Sequence, residues 1–231
     1  MTIQRAFENA IHELVKEFLQ APYVFFTEAD AVARFHQILE GDPITNRRVQ
    51  TSDGFEVSLI HREYPTFFRF SGKNPTARLK PPASRGHYDT VVLNPDFVMA
   101  HSAATVTNRN IKALRDTRII PFQAVVEFKL DNEGWSVGTA SGAIAELGKL
   151  HLSQEAPLRY LVVLMRYSAP SLARWRKYWP KVSQAAVGEP EIGSIFAIHW
   201  LTGKGGSEAY HFGHWLSSEV SPILQTTDRP E

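Results

Sequence analysis

The sequence predicts an α/β fold with a central mixed β-sheet flanked by helices. Strand-like and helix-like segments alternate along most of the chain, as in layered α/β architectures. Two runs, residues 86–93 and 122–130, are rich in β-branched and aromatic residues and too short for a typical helix, so they read as buried strands. No linker, repeat or low-complexity stretch divides the 231 residues. That length is ample for one hydrophobic core, so a single domain over 1–231 is expected.

Taken in order, residues 4–20 place Ala6, Ala10, Ile11, Leu14, Val15, Phe18 and Leu19 at helical spacing. Ala21-Pro22-Tyr23 ends that helix. Thr27 is a good N-cap for a second, with Glu28 and Asp30 suited to the positive end of its dipole. Val32, Phe35, Ile38 and Leu39 carry it to Gly41-Asp42-Pro43. Polar turn material follows, then a strand at 55–60, and residues 66–70 continue the strand system or pair back after Pro65. Residues 71–86, rich in Gly, Asn, Pro and Ser, form a loop whose length favours a functional role. Asn94-Pro95-Asp96 reads as a turn, and a helix is expected within 97–115. After the 122–130 strand come a turn at 131–134, a helix over 139–152, a buried strand over 159–166, an amphipathic helix over 171–186 and a strand over 194–201. Residues 203–206 turn the chain into a hairpin with 209–216.

Composition narrows the class. Hydrophobic residues make up 43% and charged residues 21%, which argues against extensive disorder. The absence of cysteine excludes disulfides, thiolate metal sites and a thiol nucleophile. The first residues open an amphipathic helix and lack the apolar core of a signal peptide. The best apolar run, residues 161–165, is far too short to span a bilayer. The expectation is a soluble cytoplasmic protein with no membrane partner. No Walker pattern and no Gly-x-Ser-x-Gly elbow is present. His199, His211, His214 and Glu208 cluster near the last hairpin, but their spacing matches no zinc motif and their aromatic neighbours favour packing.

Net charge is only +1, yet its distribution is uneven. Arg69, Lys73, Arg78, Lys80 and Arg85 fall in a stretch without acid, as do Arg159, Arg166, Arg174, Arg176, Lys177 and Lys181. The second stretch also holds Trp175, Tyr178 and Trp179. It reads either as a nucleic-acid footprint with stacking aromatics or as a solvated helix face with aromatics in the core.

Asp89, Glu127 and Lys129 fall inside the two buried strands. Charges there cost free energy unless they pair, bind a metal or meet a substrate. Glu127 and Lys129 lie two apart and project from one face of their strand. If the strands are neighbours, Asp89 faces the same space, and the three groups suit a hard cation and a phosphate. The bland alternative is a surface pair on an edge strand, worth little.

The order helix, strand, Asp strand, Glu-x-Lys strand, helix, strand resembles the PD-(D/E)XK nuclease superfamily. The segments Phe25-Phe26-Thr27-Glu28-Ala29-Asp30 and His61-Arg62-Glu63-Tyr64-Pro65, the latter ending a strand, are similar to those of bacterial members. The resemblance covers about residues 20–170 and leaves about 171–231 as an extension. It implies a restriction-endonuclease-like core and hydrolysis of phosphodiester bonds, in DNA first. Asp89, Glu127 and the Phe128 carbonyl would hold Mg²⁺, with Mn²⁺ able to substitute; Glu28 is a further candidate ligand and Glu63 a weaker one. Lys129 would position water and offset charge on the phosphorane. Arg69, Lys73, Arg78, Lys80 and Arg85 become candidate nucleic-acid contacts. Glu146, Lys149 and His151 follow on the flanking helix, where Lys149 is a candidate phosphate contact with a solvent-facing lysine as the default. Double-strand cutting in similar enzymes uses two sites, which makes a homodimer an option. Tyr88 stands where the pattern has Pro, and the literal Pro95-Asp96 pair lies beyond the strand, so Asp96 is only the replacement for Asp89. A non-catalytic member of the fold, binding nucleic acid or a protein partner, is the alternative.

Overall fold

A computed structural model of the chain describes residues 2–70, 84–107, 119–132, 137–153, 155–167, 172–201 and 206–216. Helices α1 (Ile3–Gln20) and α2 (Glu28–Gly41) lead into a two-stranded ribbon, β1 (Arg48–Gln50) with β2 (Glu56–Ser58). A six-stranded sheet follows, formed by β3 (Ile60–Phe70), β4 (Ser84–Leu93), β5 (Phe122–Asp131), β6 (Leu158–Tyr167), β7 (Gly193–Trp200) and β8 (Ser207–Phe212), in that spatial order. Short helices α3 (Pro95–Ala100) and α4 (Ala103–Thr107) separate β4 from β5. Helices α5 (Val137–Leu152) and α6 (Leu172–Val187) connect β5 to β6 and β6 to β7.

The sheet is mixed. β5, β6 and β7 run parallel, and the other neighbours are antiparallel. Parallel neighbours need crossovers, and α5 and α6 supply them. The central strands are covered on both faces, which is why β6 reads as a continuous apolar run from Tyr160 to Met165. Phe128 packs against Phe35 of α2 and Tyr160 against Phe7 of α1. Glu127 and Lys129, on the opposite face of β5 from Phe128, meet α5 instead. Among the described residues no helix is long and apolar enough to cross a membrane.

Several local expectations change. The strand expected at 55–60 divides at Leu59 into β2 and the start of β3, and the polar stretch before it contains β1. Each ribbon strand has one buried residue, Val49 or Val57, too little to show a period. His61-Arg62-Glu63-Tyr64-Pro65 does not end a strand; it lies within β3. Proline is tolerated there because β3 is an edge strand. Irregularity does mark the segment: Glu63 has φ 51°, and the register shifts between Pro65 and Arg69. Asn94 is not a simple turn residue but the N-cap of α3, accepting from the Asp96 amide at 3.0 Å. Residues 84–86 belong to β4 rather than to a loop. The rest of that loop, together with residues 108–115, 133–134 and 203–205, lies outside the described residues.

The start of α2 forms as expected. Thr27 Oγ1 accepts from the Asp30 amide, and the Asp30 carboxylate accepts from the Thr27 and Phe26 amides at 2.8 and 2.9 Å, a capping box. These donors hold the Asp30 carboxyl below its ordinary range. The box fixes the turn that carries Glu28. Thr27→Ala should therefore lower stability by about 1 kcal/mol in urea unfolding, a typical cost for a lost N-cap. An unchanged midpoint and slope would show that tertiary packing alone sets the helix start.

Candidate active site

β4 and β5 part company inside the sheet. Their ladder runs from Leu93 opposite Phe122 to Thr90 opposite Val126 and stops. Beyond that pair β4 continues against β3 alone, while β5 continues beside β6 to Asp131. The first residues past the last pair are Asp89 and Glu127. Backbone groups freed by the fork still need partners. Asp89 Oδ2 accepts from the Phe128 amide at 2.6 Å. Lys129 Nζ donates to the Phe128 carbonyl at 2.8 Å. On the β3 side of β4, the His87 carbonyl stands opposite Pro65, which has no N–H to give, and accepts from Lys149 Nζ at 3.0 Å.

Six charged side chains close around this opening. Lys149 Nζ is 2.6 Å from Glu127 Oε1 and 2.7 Å from Glu146 Oε2. Lys129 Nζ is 3.2 Å from Glu28 Oε1 and 3.5 Å from Glu146 Oε1. The Lys129 stem lies over α5 at Gly142, where an added Cβ would sit 4.0 Å from its Cδ. Glu146 and Lys149 share one face of α5 through their spacing of three. With every group ionised, Glu28, Asp89, Glu127 and Glu146 against Lys129 and Lys149 leave a net charge of about −2, a field that favours a divalent cation.

The protonation energetics follow from burial and neighbours. Burial pushes the Asp89 carboxyl up to about 6, against the Phe128 amide and Lys129, which favour the carboxylate. Glu127, 1% exposed, is raised well above its ordinary range by burial, which outweighs Lys149. Burial also acts to raise Glu146, but Lys149 and Lys129 prevail and hold it low. Both lysines are raised: desolvation opposes their charge, and the surrounding carboxylates, Glu146 first for Lys129 and Glu127 first for Lys149, overcome it.

Asp89, Glu127, Lys129, the Phe128 carbonyl and Glu28 thus stand together at one fork. The default of a solvent-facing Lys149 is corrected: α5 packs on β5 and turns this side chain inward, with 12% of it exposed. Glu146 belongs to the cluster although sequence reasoning assigns it no site role; the available signal is its position three residues before Lys149 on the helix after the Glu-x-Lys strand. Glu63 is exposed on the edge strand, and Asp96 is exposed in the first turn of α3. Arg69 and Arg85 are cross-strand partners where β3 and β4 pair beyond the fork. Lys73, Arg78 and Lys80 lie outside the described residues. Tyr88, in place of the pattern's proline, is fully buried, and its hydroxyl meets Glu155 and Ser153, each at 2.5 Å.

The second basic stretch divides. Arg159 binds Glu191 and the Leu150, His151 and Ser153 carbonyls, while Arg166 binds the Phe25 carbonyl and Asn132 beneath the Tyr23 ring. Arg174, Arg176, Lys177 and Lys181 are exposed on α6. Trp179 turns into the core against Phe196, Tyr210 and Phe212, so for this ring the packing alternative holds. His211 packs between His12 and Trp215, with burial pushing its imidazole down to about 4.

As the side chains stand, no three His, Asp or Glu groups among the described residues are arranged to hold a metal ion. The donor chemistry nevertheless fits a hard cation: carboxylate oxygens of Asp89 and Glu127 beside a backbone carbonyl, which are magnesium ligands by type. Lys149 pairs with the Glu127 oxygen, and Lys129 donates to the Phe128 carbonyl. No family model, curated protein or solved structure matches the chain.

Asp89 supplies a pH prediction. Its carboxyl moves from an ordinary 3.8 to about 6, so the folded state holds the proton more tightly than the unfolded chain. That contribution to stability is lost as pH rises through this window. Asp89→Asn removes the titration and keeps an acceptor for the Phe128 amide. The variant's urea midpoint relative to wild type should therefore increase from below the window to above it; a constant difference would show that Asp89 titrates normally.

Proposed function

We propose that this chain is a metal-dependent nuclease with a restriction-endonuclease-like core, hydrolysing phosphodiester bonds in DNA. The observation that carries the reading is the fork, which sets Asp89 and Glu127 one step past the last β4–β5 pair with Lys129 on the Glu127 face. Apart from the inserted β1–β2 ribbon and the short α3 and α4, the order α2-β3-β4-β5-α5-β6 across adjacent strands supports it, because it follows the order on which the family resemblance rests. Asp89, Glu127 and the Phe128 carbonyl would hold Mg²⁺ or Mn²⁺. Such an ion supplies Lewis acidity toward a phosphoryl oxygen and a more acidic bound water.

The remaining work falls to the chain itself. Lys129, held by Glu28 and Glu146, presents an ammonium whose charge can offset the developing negative charge on phosphorus. Glu28 fixes that ammonium from the first turn of α2, so it orients Lys129 rather than completing the donor set. Asp89 accepts from the Phe128 amide and so links the two donor strands across the opening of the fork.

A polyanionic substrate is supported by α6. Arg174, Lys177 and Lys181, at spacings of three and four, form an exposed cationic stripe on the helix packed beside α5. A non-catalytic reading also has an observation in its favour: Lys149 covers Glu127 at 2.6 Å and leaves it 1% exposed.

Nicking of supercoiled and single-stranded DNA with Mg²⁺ or Mn²⁺ separates these readings. Glu127→Gln and Lys129→Met should each lower the rate at least about 100-fold with the fold retained by circular dichroism. Wild type that binds DNA but never cuts it would favour the non-catalytic reading. Reversing Arg174, Lys177 and Lys181 to Glu should weaken DNA binding and flatten its salt dependence, by about 0.9 in log–log slope for each phosphate no longer neutralised. An unaltered slope would remove α6 from the substrate path.

A further inference from the structure

Lys149 has an environment unlike that of an ordinary helix lysine. Its ammonium touches Glu127 Oε1 at 2.6 Å, Glu146 Oε2 at 2.7 Å and the His87 carbonyl at 3.0 Å. Oxygens from β5, α5 and β4 surround this ammonium, the two carboxylates as ion pairs and the carbonyl as a hydrogen-bond acceptor. Two carboxylates and a carbonyl are also the donor types of a magnesium or manganese site. The cage is therefore a cation site occupied by a side chain.

We propose that Lys149 is a built-in competitor for the divalent ion: it occupies the Glu127 position in the metal-free protein and must leave when the ion binds. This rests on the nuclease reading, and specifically on Glu127 as a metal ligand. Burying Glu127 and Glu146 without a counter-charge would be costly, so the fork needs a cation before any metal arrives. A tethered ammonium supplies it and keeps the donors assembled. The ammonium also lies over the Tyr88 ring, 5.8 Å from its centroid, a wall of the same cage. Lys129 contacts the Phe128 carbonyl, Glu28 and Glu146 but makes no ion pair with Glu127, so the two lysines have different relations to the donor that matters. Lys149 is on this account a positioning residue.

The test is Mn²⁺ affinity of the full chain by electron paramagnetic resonance, for wild type, Lys149→Met, Lys129→Met and Glu127→Gln. Removing a competing unit charge a few ångströms from the ion should tighten Mn²⁺ binding at least about tenfold in Lys149→Met, and more than in Lys129→Met. Glu127→Gln should abolish the site. Unchanged or weaker binding in Lys149→Met, or an equal gain in Lys129→Met, would overturn the exchange while a wild-type site lost in Glu127→Gln leaves the metal reading intact. Absence of Mn²⁺ binding in all four proteins would overturn both. Should Lys149→Met be unfolded alone, the proposal requires Mn²⁺ to restore its circular dichroism, because the ion then replaces the missing counter-charge; no restoration counts against it.

Discussion

The parting of β4 from β5 after Thr90 and Val126 is the constraint on which the candidate site depends. A regular antiparallel pair would consume the backbone groups of Phe128 in ladder bonds and bring the strands together at Asp89 and Glu127. The fork instead leaves those groups to side chains: Asp89 takes the Phe128 amide and Lys129 its carbonyl. The opening persists because both strands remain anchored elsewhere. β5 keeps β6 from Ala124 to Asp131, and β4 keeps β3. Tyr88, next to Asp89, is pinned by Glu155 and Ser153 in the core.

Once open, the fork gathers charges that are tolerable only together. A buried ion pair contributes little net stability, yet removal of one partner leaves an uncompensated charge and is strongly destabilising. Glu127 depends on Lys149, Glu146 on both lysines, and Lys129 on Glu28 and Glu146. The result is a coupled network reaching from the first turn of α2 through β5 to α5, in which double substitutions will not be additive.

Much of this was legible in the sequence where the signal is local. The α2 start followed from Thr27, Glu28 and Asp30, because a capping box is made within one turn. β5 and β6 followed from β-branched runs that only a doubly covered sheet demands. Asp89, Glu127 and Lys129 stood out because charge is rare inside such runs. Signals failed where context outweighed local chemistry. β3 continues through Pro65 because an edge strand can spare a donor, and the β1–β2 ribbon buries only one residue per strand. Glu146 and Lys149 carry no local mark that distinguishes an inward pair from a solvated one on an amphipathic helix.

What the sequence by itself determined was the long helices and the buried strands, the two charged ones among them, since propensity, capping and burial periodicity act over a few residues. What only the tertiary structure decided was convergence. The β4–β5 register stops one residue short of Asp89, and the packing of α5 against β5 turns Glu146 and Lys149 into the fork. Both depend on contacts between segments distant in the chain. Electrostatic pairing is set by through-space distances of a few ångströms, which sequence spacing does not encode across separate elements.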